Sequence, residues 1–185
     1  MNTIVLTGGT SKRFGSDKSQ ALINGNTLLE VLTRNLNASA NELIIVGPES
    51  SIAAKYVREA PIGSGPVAAI AAGLKEVDSE FVAIFATDMP FAPRLVNQLF
   101  NALEHDAALP LDAEGFVQPL AAVYRTIALK KAIESFDSFE NLAVKELISR
   151  LEIDQVPLLE TEFLLDIDTK ADLVKAIDLA SRLTP

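Results

Sequence analysis

Residues 3–18 of the chain read TIVLTGGTSKRFGSDK, and this is the most informative segment of the sequence. Its first four residues, Thr3–Leu6, are apolar or β-branched and predict a buried strand. The strand runs directly into Gly8 and Gly9, which let backbone N–H groups approach and surround an anion. Basic side chains follow at positions 12, 13 and 18, where they can neutralise negative charge. A glycine-rich turn with basic side chains at a strand end predicts a polyphosphate site.

The spacing of this loop departs from two common phosphate-binding patterns. A P-loop requires Gly-x-x-x-x-Gly-Lys-Ser/Thr, whereas here Ser16 and Asp17 separate Gly15 from Lys18. A dinucleotide-binding turn requires Gly-x-Gly-x-x-Gly, which these glycines do not supply. A flexible glycine turn with solvated charges is the alternative interpretation of the same residues.

The rest of the chain alternates apolar, β-branched runs with helical patterns, which is typical of an α/β sheet with helices on both faces. The predicted strands are Thr3–Leu6, Leu43–Val46, Tyr56–Glu59, Phe81–Phe85, Ala107–Leu111, Phe116–Tyr124 and Phe163–Ile167. The predicted helices are about a dozen residues after Thr27, Val67–Leu74, Pro93 to His105, Ile127–Ser135, Asn141–Leu151 and Lys170–Leu183. The most apolar strand, Phe81–Phe85, is expected at the centre of the sheet. No helix separates Ala107–Leu111 from Phe116–Tyr124, so the second of these is expected to run antiparallel.

Length and composition limit the class of protein. The 185 residues predict one domain, spanning 1–185, that is long enough to bury a core. The apolar runs are too short for a membrane span, and the first residues lack the pattern of a signal peptide. The net charge of −9 argues against a nucleic-acid binder, which would present a basic face. The absence of cysteine excludes disulfides and thiolate chemistry, and it suits a cytoplasmic location.

Acidic residues follow two of the predicted strands, at the ends where ligands bind in open α/β sheets. Asp88 comes just after the most apolar strand, and Asp166 and Asp168 lie along or just past the last one. Because carboxylate oxygens are the usual protein ligands of Mg²⁺, Asp88 is predicted as its main ligand. Asp166 and Asp168 are expected to help with the metal or with a second substrate. The alternative for Asp88 is a loop carboxylate that caps backbone amides ahead of the helix at Pro93. For the other pair, the alternative is that Asp168 or Thr169 caps the last helix.

The first loop resembles the signature loop of the MobA-like NTP transferase family, in the pattern Leu-x-Gly-Gly-x-Ser-x-Arg-Phe-Gly-x-Asp-Lys. Further segments resemble the same family in the same order, namely GSGPVAAI at 63–70, ATDMPF at 86–91 and LDIDT at 165–169. Gln118 and Pro119 stand where the family often has a polar residue followed by proline. The resemblance covers nearly the whole chain. It implies a Rossmann-like nucleotidyltransferase fold of the GT-A type, with a mostly parallel central sheet and one antiparallel strand.

The resemblance also implies a role for each matching residue. Nucleotide binding is expected from Leu6, Thr7, Gly8, Gly9, Ser11, Arg13, Lys18, Gly65, Pro66 and Asp88. Catalysis is expected from Arg13, Lys18 and Asp88, with Mg²⁺ held by Asp88. Gln118, Asp166 and Asp168 are expected at a site for the second substrate or a second metal ion. The loop before Pro66 has a plainer alternative, a helix start that binds no ligand.

The activity that the resemblance implies is transfer of GMP from GTP to the phosphate of molybdopterin carrying molybdenum, with release of pyrophosphate. Guanine is favoured over cytosine because Gly8 matches the guanylyl-transferring members of the family. The alternatives are a CTP-using molybdopterin cytidylyltransferase, a nucleotidyltransferase for a sugar phosphate or cofactor precursor, and a non-enzymatic nucleotide-binding protein that delivers cofactor. Apo-molybdoenzymes or their chaperones are candidate protein partners, whereas nucleic acid and membrane are not expected. His105, the one histidine, is expected to be a solvated side chain near a helix end.

Overall fold

The computed structural model describes residues 1–7, 21–36 and 42–183. Within these ranges the strands are β1 (Asn2–Leu6), β2 (Leu22–Ile23), β3 (Asn26–Thr27), β4 (Leu43–Val46), β5 (Lys55–Val57), β6 (Phe81–Ala86), β7 (Ala107–Pro110), β8 (Ala121–Arg125) and β9 (Ile153–Val156). β2 and β3 form a small hairpin, and the others form one sheet in the order β5-β4-β1-β6-β8-β7-β9. β6 lies in the middle of this order, as its apolar sequence predicts.

The strand directions confirm the predicted α/β fold with one antiparallel strand. β1 pairs in parallel with β4 and β6, and β4 with β5. β8 is antiparallel to both neighbours, β6 and β7, whereas β7 and β9 are parallel. β8 can reverse because a turn, not a helix, joins it to β7. We call the edge where the parallel strands end, and where β8 begins, the carboxyl edge.

The helices in the described ranges are α1 (Leu28–Asn35), α2 (Pro66–Leu74), α3 (Val96–Asn101), α4 (Thr126–Glu134), α5 (Val144–Ile148) and α6 (Lys170–Leu183), with 3₁₀ helices at Ala92–Leu95 and Thr161–Leu164. α1 begins at the predicted cap, Thr27, because its hydroxyl accepts a hydrogen bond from the Glu30 N–H at 3.2 Å. Among these helices, none combines the length and the apolar character needed to cross a membrane.

Helices cover both faces of the sheet, and each face has its own apolar core. Side chains of β1 alternate between the two, so that Val5 enters one core while Ile4 and Leu6 enter the other. α1, α3 and α6 pack on the face of Val5, and α2, α4 and α5 pack on the opposite face. The central strands β1 and β6 are therefore held from both sides, and Ile84 and Phe85 are fully buried.

The prediction of a last strand at Phe163–Ile167 is wrong. Residues Thr161–Leu164 form a 3₁₀ helix, and residues 165–168 continue outside the sheet, in neither a helix nor a strand. Phe163 and Leu164 are buried in the same core, and consecutive side chains reach one core from a helical turn but not from a strand. The last strand is β9, which sequence reasoning missed because Asp154 and Gln155 interrupt its apolar pattern.

Other elements are shorter than predicted. The helix expected from Pro93 to His105 starts as a 3₁₀ turn at Ala92 and ends at Asn101. The helix expected at Asn141–Leu151 covers only Val144–Ile148. The strand expected from Phe116 is continuous only from Ala121 onward. The preceding residues form turn hydrogen bonds and a single antiparallel bridge, between Val117 and Leu111.

Candidate active site

The ends of β1 and β6 are joined by hydrogen bonds at the carboxyl edge. The Thr87 N–H donates to the Leu6 carbonyl oxygen at 3.0 Å, and the Thr87 hydroxyl donates to the same oxygen at 2.8 Å. On the other side of β1, the N–H and the hydroxyl of Thr7 both donate to the Val46 carbonyl oxygen at 3.1 Å. Leu6 and Thr7, both predicted in nucleotide binding, are therefore fixed beside the segment that carries Asp88.

The loop that follows Thr7 carries the predicted phosphate contacts. Gly8, Gly9, Ser11, Arg13 and Lys18 lie outside the described residues, so their roles stay predictions. On the far side of this loop, Ala21 is buried in the core that contains Val5. The sheet and the core thus hold the residues on either side of the loop, and its first residue follows directly from the carboxyl edge.

Asp88, Asp166 and Asp168 form an acid cluster at the carboxyl edge. Each offers a carboxylate oxygen, and these oxygens all lie within 4.8 Å of one another. Ile167 anchors the segment, because its N–H donates to the Asp88 carbonyl oxygen at 3.0 Å and its side chain is fully buried. Asp166 and Asp168 flank Ile167, and both offer a carboxylate oxygen close to that of Asp88, so their side chains leave the core on the same side. The structure thus brings together the acidic residues that were predicted, although a 3₁₀ helix precedes two of them where a strand was expected.

The acid cluster has the donor set of a hard divalent cation. Asp88 and Asp168 are half-buried and Asp166 is exposed, so the cluster is open to solvent on one side. Mg²⁺ is commonly held by one or two carboxylates together with water and substrate phosphates. Oxygen donors without histidine or thiolate favour such an ion over softer transition metals. The residues present therefore fit Mg²⁺.

Gly65 and Pro66, two further predicted contacts, form the start of α2. Gly65 is the N-cap residue with a φ of 96°, a left-handed conformation that favours glycine. The loop is held by two bonds: the Ser64 hydroxyl donates to the Pro61 carbonyl oxygen at 2.6 Å, and the Asn141 N–H donates to the Ser64 carbonyl oxygen at 2.8 Å. α2 follows β5, so its N-terminus lies at the carboxyl edge, where the helix dipole favours a negatively charged ligand group.

Gln118 lies at the carboxyl edge in the turn between β7 and β8. Its side-chain N–H donates to Asp112 Oδ2 at 2.6 Å, and Asp112 Oδ1 accepts from the N–H groups of Phe116 at 2.8 Å and Glu114 at 3.0 Å. Partial burial acts to raise the pKa of Asp112, but these hydrogen bonds outweigh it and hold the pKa below its usual value. Gln118 is thus engaged within its own turn rather than in the acid cluster. Sequence reasoning missed the role of Asp112, whose signal was an aspartate opening a turn that closes at Gly115.

His105 lies at the opposite edge of the sheet, just before β7. Its Nδ1 is 2.5 Å from Asp154 Oδ1, and Asp154 Oδ2 accepts from the N–H groups of Glu104 at 2.7 Å and His105 at 2.8 Å. The hydrogen bond with Asp154, and then the charge of Glu152, raise the pKa of His105. The expected solvated side chain is therefore part of an exposed ion-pair group that links the start of β7 to β9.

Comparison with known proteins places this geometry in a family. Residues 3–153 match the MobA-like NTP transferase domain. A protein of Mycobacterium avium named probable molybdenum cofactor guanylyltransferase is 31% identical over 92% of this chain and 91% of its own length. A Bacillus cereus protein of the same name is 27% identical over 94% of each chain.

The fold is similar to that of a solved structure from Archaeoglobus fulgidus, named molybdopterin-guanine dinucleotide biosynthesis protein A. The two superpose with a TM-score of 0.78 at 22% sequence identity, over 98% of this chain and 100% of that chain. The match of residues 3–153 covers most of the chain and includes the glycine-rich loop, the start of α2 and Asp88. The chain therefore belongs to the MobA-like NTP transferase family.

Proposed function

We propose that this chain transfers GMP from GTP to the phosphate of molybdopterin and releases pyrophosphate. The observation that carries the proposal is the acid cluster at the carboxyl edge, beside the strand end that leads into the glycine-rich basic loop. A cation site next to a polyphosphate loop suits a nucleoside triphosphate. The curated relatives are named for guanylyl transfer in the molybdenum cofactor, and this supports the choice of nucleotide and acceptor.

The reaction needs little covalent chemistry from the protein. An oxygen of the acceptor phosphate forms a bond to the α-phosphorus of GTP, and the bond from that phosphorus to the bridging oxygen of the β-phosphate breaks. The acceptor phosphate is already an anionic nucleophile, so the step requires no general base. Arg13 and Lys18 bind the triphosphate oxygens and stabilise the charge that develops on the departing pyrophosphate.

The acid cluster is the proposed holder of Mg²⁺, with Asp88 as its main ligand. Asp166 and Asp168 add oxygen donors to the metal or orient the second substrate. When bound, the ion supplies charge neutralisation at the triphosphate. Asp88 is well suited to the role because the bond from the Ile167 N–H holds its backbone next to the segment that carries Asp166 and Asp168.

Pyrophosphate release that depends on the acceptor tests this function. Purified protein with GTP, Mg²⁺ and molybdopterin is expected to release pyrophosphate, and the same mixture with dephosphorylated acceptor is expected to release none. Activity with a sugar phosphate but not with molybdopterin would show that the acceptor is a sugar phosphate. Binding of GTP without pyrophosphate release under any of these conditions would indicate a nucleotide-binding delivery protein.

A further inference from the structure

An exposed aromatic side chain stands at the carboxyl edge without a packing role. Phe116 is 69% exposed and lies in the turn between β7 and β8. Single exposed apolar residues are common on protein surfaces and carry no meaning by themselves. Phe116 differs because its backbone is held rigidly and because of where the turn places it.

Asp112 both donates a hydrogen bond to the backbone of Phe116 and accepts one from it. The Asp112 N–H donates to the Phe116 carbonyl oxygen at 2.9 Å, and the Phe116 N–H donates to Asp112 Oδ1 at 2.8 Å. The Gln118 side chain adds a third bond to the same carboxylate, to Oδ2 at 2.6 Å. The ring is therefore presented to solvent by an ordered turn, and ordering it on binding a ligand costs little conformational entropy.

The turn lies on the opposite side of β6 from β1, the strand that precedes the glycine-rich loop. β1, which leads into that loop, pairs with one side of β6, and β8 pairs with the other side. The Ala86 N–H donates to the Leu120 carbonyl oxygen at 2.9 Å, which joins the end of this turn to the residue two places before Asp88. If the triphosphate lies over β1, the acceptor reaches the acid cluster from the side of β8 and β7.

We propose that Phe116 is a specificity residue whose ring stacks on the flat heteroaromatic ring system of the acceptor. This inference rests on the proposed function, since it assigns the acceptor half of the same site. An aromatic face recognises a planar π-system, such as a pterin, and gives no comparable gain with a sugar phosphate. The amide of Gln118, held by Asp112, supplies polar atoms next to the stacked ring.

Kinetics of matched variants test the stacking. Phe116→Leu keeps an apolar side chain but removes the ring, and it is expected to raise the KM for molybdopterin about tenfold or more. The KM for GTP is expected to stay at the wild-type value, and Phe116→Tyr, which keeps the ring, is expected to behave as wild type. Ile127→Ala, which changes a residue 63% exposed near the opposite edge, is the control and is expected to change neither KM. A wild-type KM for molybdopterin in Phe116→Leu would overturn the proposal.

A binding measurement separates this inference from the proposed function. Binding of the monophosphate of 6-hydroxymethylpterin can be followed by the anisotropy of its own fluorescence. Wild type and Phe116→Tyr are expected to raise the anisotropy saturably with similar affinity, whereas Phe116→Leu is expected to need about tenfold more protein for half-saturation. Binding that depends on the ring in a protein without GMP transfer would leave the stacking standing and refute the function. GMP transfer with equal probe affinity of wild type and Phe116→Leu would refute the stacking and leave the function standing.

Discussion

At the scale of single residues, Asp88 is the proposed main metal ligand of the acid cluster. Asp88→Asn keeps the size and shape of the side chain but removes the charge that a hard cation prefers. We expect this variant to lose Mg²⁺-dependent transfer while it unfolds at the wild-type temperature. Transfer is measured across a range of Mg²⁺ concentrations, with thermal melting as the check on folding.

Asp137→Asn is the matched control for this change, because Asp137 is an exposed carboxylate outside the acid cluster. It is expected to keep wild-type turnover and the wild-type Mg²⁺ requirement. Wild-type activity of Asp88→Asn at an unchanged Mg²⁺ requirement would refute Asp88 as the main metal ligand.

The second prediction at this scale concerns Arg13 and Lys18, the proposed catalytic cations of the glycine-rich loop. Arg13→Ala and Lys18→Ala should each lower kcat/KM for GTP about ten- to a hundredfold, because each removes one charge-assisted contact with phosphate. Stability should change little, and Lys75→Ala, at an exposed lysine where α2 ends, should leave both properties unchanged. Steady-state kinetics with GTP check the prediction, which fails if both variants keep wild-type values.

At the scale of elements, α1 depends on its N-terminal cap. The Thr27 hydroxyl accepts from the Glu30 N–H, and the Glu30 carboxylate accepts from the Thr27 N–H at 2.7 Å. Thr27→Ala should lower the free energy of unfolding by about 1 kcal/mol, because the Glu30 N–H loses its acceptor and the Glu30 carboxylate loses the bond from the Thr27 hydroxyl. Thr33→Ala, within the same helix, should change it by only a few tenths of a kcal/mol. Urea unfolding of both variants distinguishes the loss of the cap from the general effect of replacing a threonine by alanine.

Elements with a local signal were predicted well. β4 and α6 match their predicted ranges, and α2 differs by one residue, because apolar runs, caps and Pro66 act within a few positions. β9 was missed because it is a strand at the edge of the sheet that buries only Val156 fully, so long-range pairing with β7 decides it rather than its own pattern. Such long-range pairing cannot be predicted from the four residues of β9 alone.

The candidate site also contains parts that the sequence predicts and parts that depend on contacts between distant residues. The glycine-rich loop and Asp88 carry strong local patterns, and the alternation of strands and helices predicts both at the carboxyl edge. The structure places Asp88 there. The approach of Asp166 and Asp168 to Asp88 was expected from a strand that does not form; the contact instead depends on the buried anchor Ile167. The hydrogen bonds of Asp112 to its turn depend on side-chain geometry that spacing alone does not specify.

At the scale of the whole molecule, the edge opposite the candidate site contains a pH-dependent contact. The bond with Asp154, and then the charge of Glu152, raise the pKa of His105 above the ordinary value of 6.5. The folded state therefore binds this proton more tightly than the unfolded state does. The resulting stabilisation is fully present below pH 6.5 and is lost as the pH rises through the folded-state pKa.

The test of this contact compares wild type with His105→Asn by urea unfolding at about pH 5.5 and about pH 9. The difference in unfolding free energy between the two proteins should shrink at the higher pH. Gln155→Ala changes an exposed, uncharged side chain of β9 and should show the same difference from wild type at both pH values. A difference for His105→Asn that does not depend on pH would contradict the ion pair.

We propose that the whole carboxyl edge serves one reaction, with the nucleotide over β1, the metal at the end of β6 and the acceptor toward β8 and β7. The most direct test gives the protein equal concentrations of GTP and CTP together with Mg²⁺ and molybdopterin, and identifies the dinucleotide product by mass spectrometry. We expect molybdopterin guanine dinucleotide as the main product, with pyrophosphate in equimolar amount. A cytosine dinucleotide as the main product, or the absence of any dinucleotide, would contradict the proposal.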